Sequence, residues 1–283
     1  MISRSLLAAL LAVLSLFACR REPRPAAPSP ERIVSLAPAV TETLFAIGAG
    51  AQVIGVSDYC EAPPEVKKRP RLGTSITPNY EAIARLKPTL LVSEKNAAAR
   101  TRELEALAPT RLLPWLSLQE VASSVRELGR LSDHAQRADA LANELLSKLD
   151  KPEPKDGPRV LLVLGETSGD EVWFIRKNSL HGSVLAAAGA RNAVAEQVLG
   201  PPQLSFERLL ALDPDAIVVL LRPDPGRDAE GARRKFDRFP TLRAVRDGRI
   251  GSIEDPAAFS HGPGILSLVG RVRGELERLK VLK

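Results

Sequence analysis

Aromatic residues make up only 4% of this 283-residue chain, with two Trp and two Tyr, so the position of each is informative. Histidine occurs three times, at His134, His181 and His261, far apart and in no HExxH or His-x-His spacing. A zinc or manganese site needs several His and carboxylate groups converging on one ion, so no metal site is expected. There is no Gly-x-Ser-x-Gly elbow and no Walker-type phosphate loop. An enzyme built on Ser57, Asp58 and His261 would lack its usual framework, and a binding protein is expected instead. The net charge of +6 comes from basic residues scattered among acids, without a basic stripe. No zinc-finger, helix-turn-helix or RNA-binding pattern occurs, so nucleic acid is not an expected partner. Cysteine occurs only at Cys19 and Cys60, which leaves Cys60 without a disulfide partner if Cys19 carries lipid.

What is present begins with an export signal. Arg4 supplies a positive start, and Leu6 to Ala18 is an apolar run too short to span a bilayer. Leu16-Phe17-Ala18-Cys19 resembles a lipobox, which predicts a signal peptide over 1–18 and lipidation of Cys19. Residues 19–30 are proline-rich and aperiodic, as in a tether between membrane and domain.

Two stretches then repeat each other. Asn79-Tyr80-Glu81 runs through Leu86-Lys87-Pro88 into Leu90-Leu91-Val92; Ser205-Phe206-Glu207 runs through Leu212-Asp213-Pro214 into Ala216-Ile217-Val218. Each has an N-cap residue, a Glu at the positive end of the helix dipole, a proline stop and an aliphatic strand. The duplication predicts an α/β fold of two Rossmann-like lobes, an N-terminal lobe over 31–116 and a C-terminal lobe over 151–283. Between them, residues 117–150 contain no proline, and Leu118, Val121, Val125, Leu128, Leu131, Ala135, Ala138, Ala142, Leu145 and Leu149 form one apolar face. That periodicity predicts a single long connecting α-helix, roughly 45–50 Å long. Ser57-Asp58-Tyr59, Arg222 and His261 fall just past carboxyl ends of predicted strands, where open α/β sheets hold ligands, and Glu94 stands at the carboxyl end of another predicted strand. His134 is expected to be solvated, and His181, which opens a helix, to be a surface or cap residue.

Arg32-Ile33-Val34-Ser35-Leu36-Ala37-Pro38 with Thr41-Glu42, Gly55-Val56-Ser57-Asp58-Tyr59, the two Glu motifs and Val245-Arg246-Asp247-Gly248-Arg249 resemble one family. It comprises the substrate-binding proteins of iron-siderophore, haem and cobalamin ABC importers, and the resemblance covers about residues 31–280. The stretch from Gly55 to Cys60 with Pro63-Pro64 is most similar to the cobalamin-binding branch. The resemblance implies a monomeric, membrane-anchored protein, periplasmic or at the cell surface. It would deliver cobalamin or a related corrinoid, as transported ligand and not as cofactor, to a permease dimer with its ATPase subunits. It also implies that Tyr59 and Trp173 pack on the ligand, with Ser57, Asp58, Arg222 and His261 as polar contacts. Glu81 and Glu207 match the positions that dock with the permease. Ser75, Glu94 and Pro201 stand where the cobalamin branch carries pocket tryptophans, which keeps a ferric siderophore or haem as the alternative ligand.

Overall fold

Long aliphatic runs such as Val160 to Val163 and Ile217 to Leu221 are buried on both faces, as strands of a parallel sheet covered by helices must be. The computed structural model describes residues 31–95, 101–165, 171–196, 198, 201–223 and 229–282. The signal peptide, Cys19 and the tether lie outside them. Lobe one holds β1 (Ile33–Ser35), β2 (Val53–Val56), β3 (Leu90–Glu94) and β4 (Thr110–Leu113), all parallel in the order β2-β1-β3-β4. Its helices are α1 (Pro38–Ala46), α2 (Tyr80–Leu86) and α3 (Thr101–Glu105). Then come α4 (Leu118–Leu131) and α5 (Ala135–Leu149). Lobe two has β5 (Arg159–Leu164), β7 (Arg191–Asn192), β9 (Ala216–Leu221) and β10 (Ile250–Glu254), parallel in the order β10-β9-β5-β7. A small antiparallel pair, β6 (Glu171–Trp173) with β8 (Gln203–Ser205), lies beside it. The helices are α6 (Leu180–Ala187), α7 (Phe206–Leu212), α8 (Ala229–Arg234), α9 (Arg243–Arg246) and the closing α10 (Leu266–Arg278).

The repeat is structural. The Asn79 side chain accepts from the Ala82 amide at 3.0 Å, and the Ser205 hydroxyl accepts from the Arg208 amide at 3.3 Å. Both helices end on a left-handed residue, Lys87 and Asp213, directly before the proline. A further shared feature ties each helix to its lobe. Arg32 donates to the Leu86 carbonyl at 2.6 Å, and Arg159 donates to the Leu212 carbonyl at 2.7 Å. Each guanidinium thus satisfies an end carbonyl that the helix cannot, and it complements the negative end of the dipole.

The two lobes are as expected, but the single connecting helix is not. It is broken at Ser132-Asp133-His134, where Asp133 takes φ +61°. The Ser132 hydroxyl donates back to the Leu128 carbonyl at 2.7 Å, and the His134 amide closes on the Gly129 carbonyl at 2.7 Å. The chain then turns back on itself. Arg126 reaches Asn143 at 2.8 Å and Asp139 at 3.3 Å, so α4 and α5 form an antiparallel hairpin. Gly129 permits this approach, since a β-carbon there would sit 2.3 Å from that of Ala138. Periodicity could not reveal the turn, because both helices direct the same apolar stripe at one core.

That core passes through both lobes. Ile33, Val40, Val53 and Val92 of lobe one join Val125, Leu128, Ala138 and Leu145 of the hairpin, and Leu162, Val184, Val218, Leu268 and Leu276 of lobe two. Two smaller clusters, around Leu91 in lobe one and Ile217 in lobe two, fill the opposite sheet faces.

Candidate functional site

Parallel strands deliver their loops to one edge of each sheet, and contacts between the lobes show that these two edges face each other. From lobe one, Glu61 lies past β2 and Trp115 past β4. From lobe two, Arg222 lies past β9 and His261 past β10. Arg222 Nη1 approaches Glu61 Oε2 at 3.5 Å, and Trp115 Nε1 donates to the His261 carbonyl at 2.8 Å. Glu42 on α1 accepts from the Ser260 hydroxyl at 2.8 Å and from the Gly264 amide at 2.5 Å. The cleft therefore lies between the carboxyl edges of the two sheets.

Tyr59 has 69% of its surface exposed on the loop after β2. Asp58 builds that loop. Its amide donates to the Gly73 carbonyl at 2.8 Å, and its carboxylate accepts from the Gly73 amide at 3.1 Å. Ser57 is buried, and its hydroxyl accepts from the Tyr59 amide at 3.3 Å. In this conformation Ser57 shapes the loop from beneath and offers no surface to a ligand. Cys60 is also buried, with its sulfur 3.2 Å from the Thr41 hydroxyl. Trp173 stands on β6 opposite Gln203, about one-third exposed. Arg222 is exposed and stacks over the Phe259 ring at 5.3 Å. Two exposed aliphatic side chains join this edge of lobe one. Ile76 lies on the 73–78 loop that Asp58 fastens, and Leu116 follows Trp115.

His261 presents surface at the cleft, while the protein crowded around it holds its imidazole pKa below the ordinary value. His181 lies behind it, ring centroids 5.0 Å apart and edge to face. The expected surface position of His181 is wrong. The residue is buried on α6 with Nε2 3.0 Å from the Ala258 carbonyl. Burial, with a further push from His261, lowers its pKa to about 4. His134 is half-buried at the N-cap of α5, its ring 2.6 Å from the Ser132 carbonyl. Sequence reasoning also missed Glu42, Trp115 and Glu61 as cross-lobe contacts. Glu42 stood within a recognised motif, but its partners lie more than two hundred residues away.

Away from the cleft, Glu81 is exposed on the first turn of α2 and pairs with Arg85 at 3.2 Å. Glu207 is exposed on the first turn of α7, with Leu210 also exposed one turn further on. Among the described residues no group of three His, Cys, Asp or Glu side chains could hold a metal ion. No described helix is long and apolar enough to cross a membrane.

A profile of the periplasmic binding protein family matches residues 33–257. The chain belongs to this family. The match bears out the resemblance drawn from the repeated motifs, and it makes the protein a substrate-binding component that acts outside the cytoplasm. Among curated relatives, a vitamin B12-binding protein of Pectobacterium atrosepticum is 29% identical over 200 residues, covering 67% of this chain and 71% of that protein. The uncharacterized ABC transporter substrate-binding lipoprotein YvrC of Bacillus subtilis is 28% identical over 250 residues, covering 84% and 77%. Among solved structures, the vitamin B12-binding protein BtuF of Vibrio cholerae has a TM-score of 0.70 at 24% identity, covering 89% of this chain and 98% of that one. A periplasmic haem-binding protein from Pseudomonas aeruginosa also has a TM-score of 0.70 at 24% identity, covering 90% and 95%. At this identity the two structures show a shared fold of periplasmic binding proteins, not a shared ligand.

Proposed function

We propose that the protein is the substrate-binding lipoprotein of an ABC importer, and that it captures cobalamin or a related corrinoid between its lobes. The observation that carries this reading is the wall that lobe one offers to the cleft. Tyr59 and Ile76 stand past one edge strand, and Leu116 stands past the other. Three strand spacings separate those edges, about 14 Å at about 4.8 Å each. That width suits a flat macrocycle better than a small ion or sugar, and exposed apolar side chains suit its faces. The similarity to vitamin B12-binding proteins supports the corrinoid among macrocycles. Arg222, stacked on Phe259, favours a second reading, in which a haem or ferric siderophore presents an anionic group to lobe two.

Titrating the full chain in detergent with cyanocobalamin tests the choice, with tryptophan emission corrected for corrin absorbance. Trp115 is buried and Trp173 is exposed, so Trp173 should carry the signal. Saturable quenching at micromolar or tighter affinity is expected, with haem and a ferric siderophore failing to compete. Tight binding of haem or siderophore without a cyanocobalamin response would reverse the ligand assignment.

The rest of the proposal concerns delivery. Lipidated Cys19 holds a monomer at the membrane, and Glu81 and Glu207 enter basic sockets on the two permease subunits. Their matched positions on twin helices support a twofold partner. A surface charge pair is worth up to about 1 kcal/mol, or about fivefold. Glu207→Ala should therefore lower ligand uptake by about fivefold in cells while leaving the ligand Kd of the purified protein unchanged. Equal uptake by the variant and the parent would remove the docking role.

A further inference from the structure

The carboxylates around the cleft differ in one respect. Asp58 accepts from the Gly73 amide, Glu61 faces Arg222, and Glu42 accepts from Ser260 and Gly264. Asp255 accepts from the Ala257 amide and pairs with Arg271. Glu94 has no hydrogen-bond donor and no ion partner among the described residues. It is the last residue of β3, a central strand of lobe one, and it is half-buried. Strand alternation puts it on the face of Leu90 and Val92, whose side chains lie in the shared core. Beyond Val92 that face ends at the cleft, between the flank formed by Tyr59 and Ile76 and the flank formed by Leu116.

A carboxylate drawn partly out of water without a donor is costly, and the cost disappears when a partner arrives. Burial raises the Glu94 pKa, as expected for a carboxyl group with no donor to stabilise its charge. We infer that Glu94 accepts a hydrogen bond from an N–H group on the rim of the bound ligand, and so selects a macrocycle bearing amides over one bearing carboxylates. This rests on the corrinoid reading above and narrows it. A primary amide brings N–H donors to the carboxylate. A ligand carboxylate at the same place would bring like charge against it in a site of reduced dielectric.

The test compares the full-length parent protein with Glu94→Leu and Glu94→Gln, titrated with cyanocobalamin, whose rim carries amides, and with haem, whose rim carries two carboxylates. Glu94→Leu should weaken cyanocobalamin binding about tenfold and strengthen haem binding. Glu94→Gln keeps a carbonyl acceptor and should stay within about threefold of the parent for cyanocobalamin. The melting temperature of ligand-free Glu94→Leu should equal or exceed that of the parent, since a half-buried charge without a partner has been removed. Unchanged cyanocobalamin affinity in Glu94→Leu would overturn this inference and leave the corrinoid reading standing. A lower melting temperature accompanying the affinity loss would assign Glu94 a structural role and overturn it as well. A parent protein that prefers haem, or binds neither probe, would overturn both.

Discussion

Replacing Glu42 by alanine should lower the free energy of unfolding by about 3 kcal/mol and loosen the lobe-two loop over 260–264. Two donors on that loop converge on one carboxylate, the Ser260 hydroxyl at 2.8 Å and the Gly264 amide at 2.5 Å. The Gly262 amide donates in turn to the Ser260 hydroxyl at 3.0 Å, which orients that hydroxyl towards Glu42. Hydrogen bonds to a charged acceptor are worth about 1.5–3 kcal/mol each, and both of these are partly screened because Glu42 is half-buried. The sum then falls near about 3 kcal/mol rather than at the upper limit. The approach is close enough that a side chain at either of two glycines would push the carboxylate aside. A β-carbon at Gly262 or Gly264 would lie 2.5 or 2.6 Å from the Glu42 carboxylate oxygens. Denaturant unfolding gives the energy, and amide hydrogen exchange at Gly264 reports the loop. Glu42→Gln, which keeps one acceptor oxygen, should fall between the parent and the alanine variant. An alanine variant with the parent's stability and the parent's exchange rate would show that the clasp contributes nothing in solution.

Stability should also fall by about 3 kcal/mol between pH 6.5 and about pH 4 through His181 alone. The folded protein holds this imidazole neutral because it is buried, and because His261 beside it would repel a second charge. The unfolded chain binds a proton as pH drops below 6.5, while the folded chain does so only near pH 4. Across that interval the unfolded state carries more protons, so acid favours it. Below the folded pKa the loss is complete and stops growing. His181→Gln retains an N–H donor for the Ala258 carbonyl and has no imidazole to charge. Unfolding energies of the parent and this variant, measured at pH 7.5 and pH 4.5, isolate the contribution, since other titrating groups cancel in the comparison. The parent should lose more stability than the variant, by about 2–3 kcal/mol. Equal losses would mean that the folded protein takes up the His181 proton as readily as the unfolded chain does.

The two lobes were legible because their evidence is local. A cap, an acidic first turn and a proline stop lie within a dozen residues, and each acts through the nearest backbone groups. What escaped detection depends on residues that meet only after folding. Arg32 finds Leu86 and Arg159 finds Leu212 through the register of a strand start against a helix end. Ser57, the first residue past β2, is buried with its hydroxyl accepting from the Tyr59 amide, although its neighbours Asp58 and Tyr59 are exposed. His181 is buried because the loop ending at Phe259 folds over it, and α6 alone gives no sign of that. The break at Asp133 was hidden by an apolar stripe that continues in step across the turn. In the candidate site, the positions past strand ends were legible from topology. Which of them carry unsatisfied chemistry was not, and Glu94 differs from Asp58 only in the donors that the fold supplies to one and withholds from the other.

The core that runs through both lobes bears on how the chain unfolds. Among its contributors are Leu268, Val272 and Leu276 on α10, with Leu279 just beyond. Without those residues the stripe on the α4–α5 hairpin would lack part of its covering. Although the architecture looks like two copies of one module, the lobes and the hairpin share one continuous core. A core shared in this way should make the two lobes lose their structure together, in one cooperative transition rather than two.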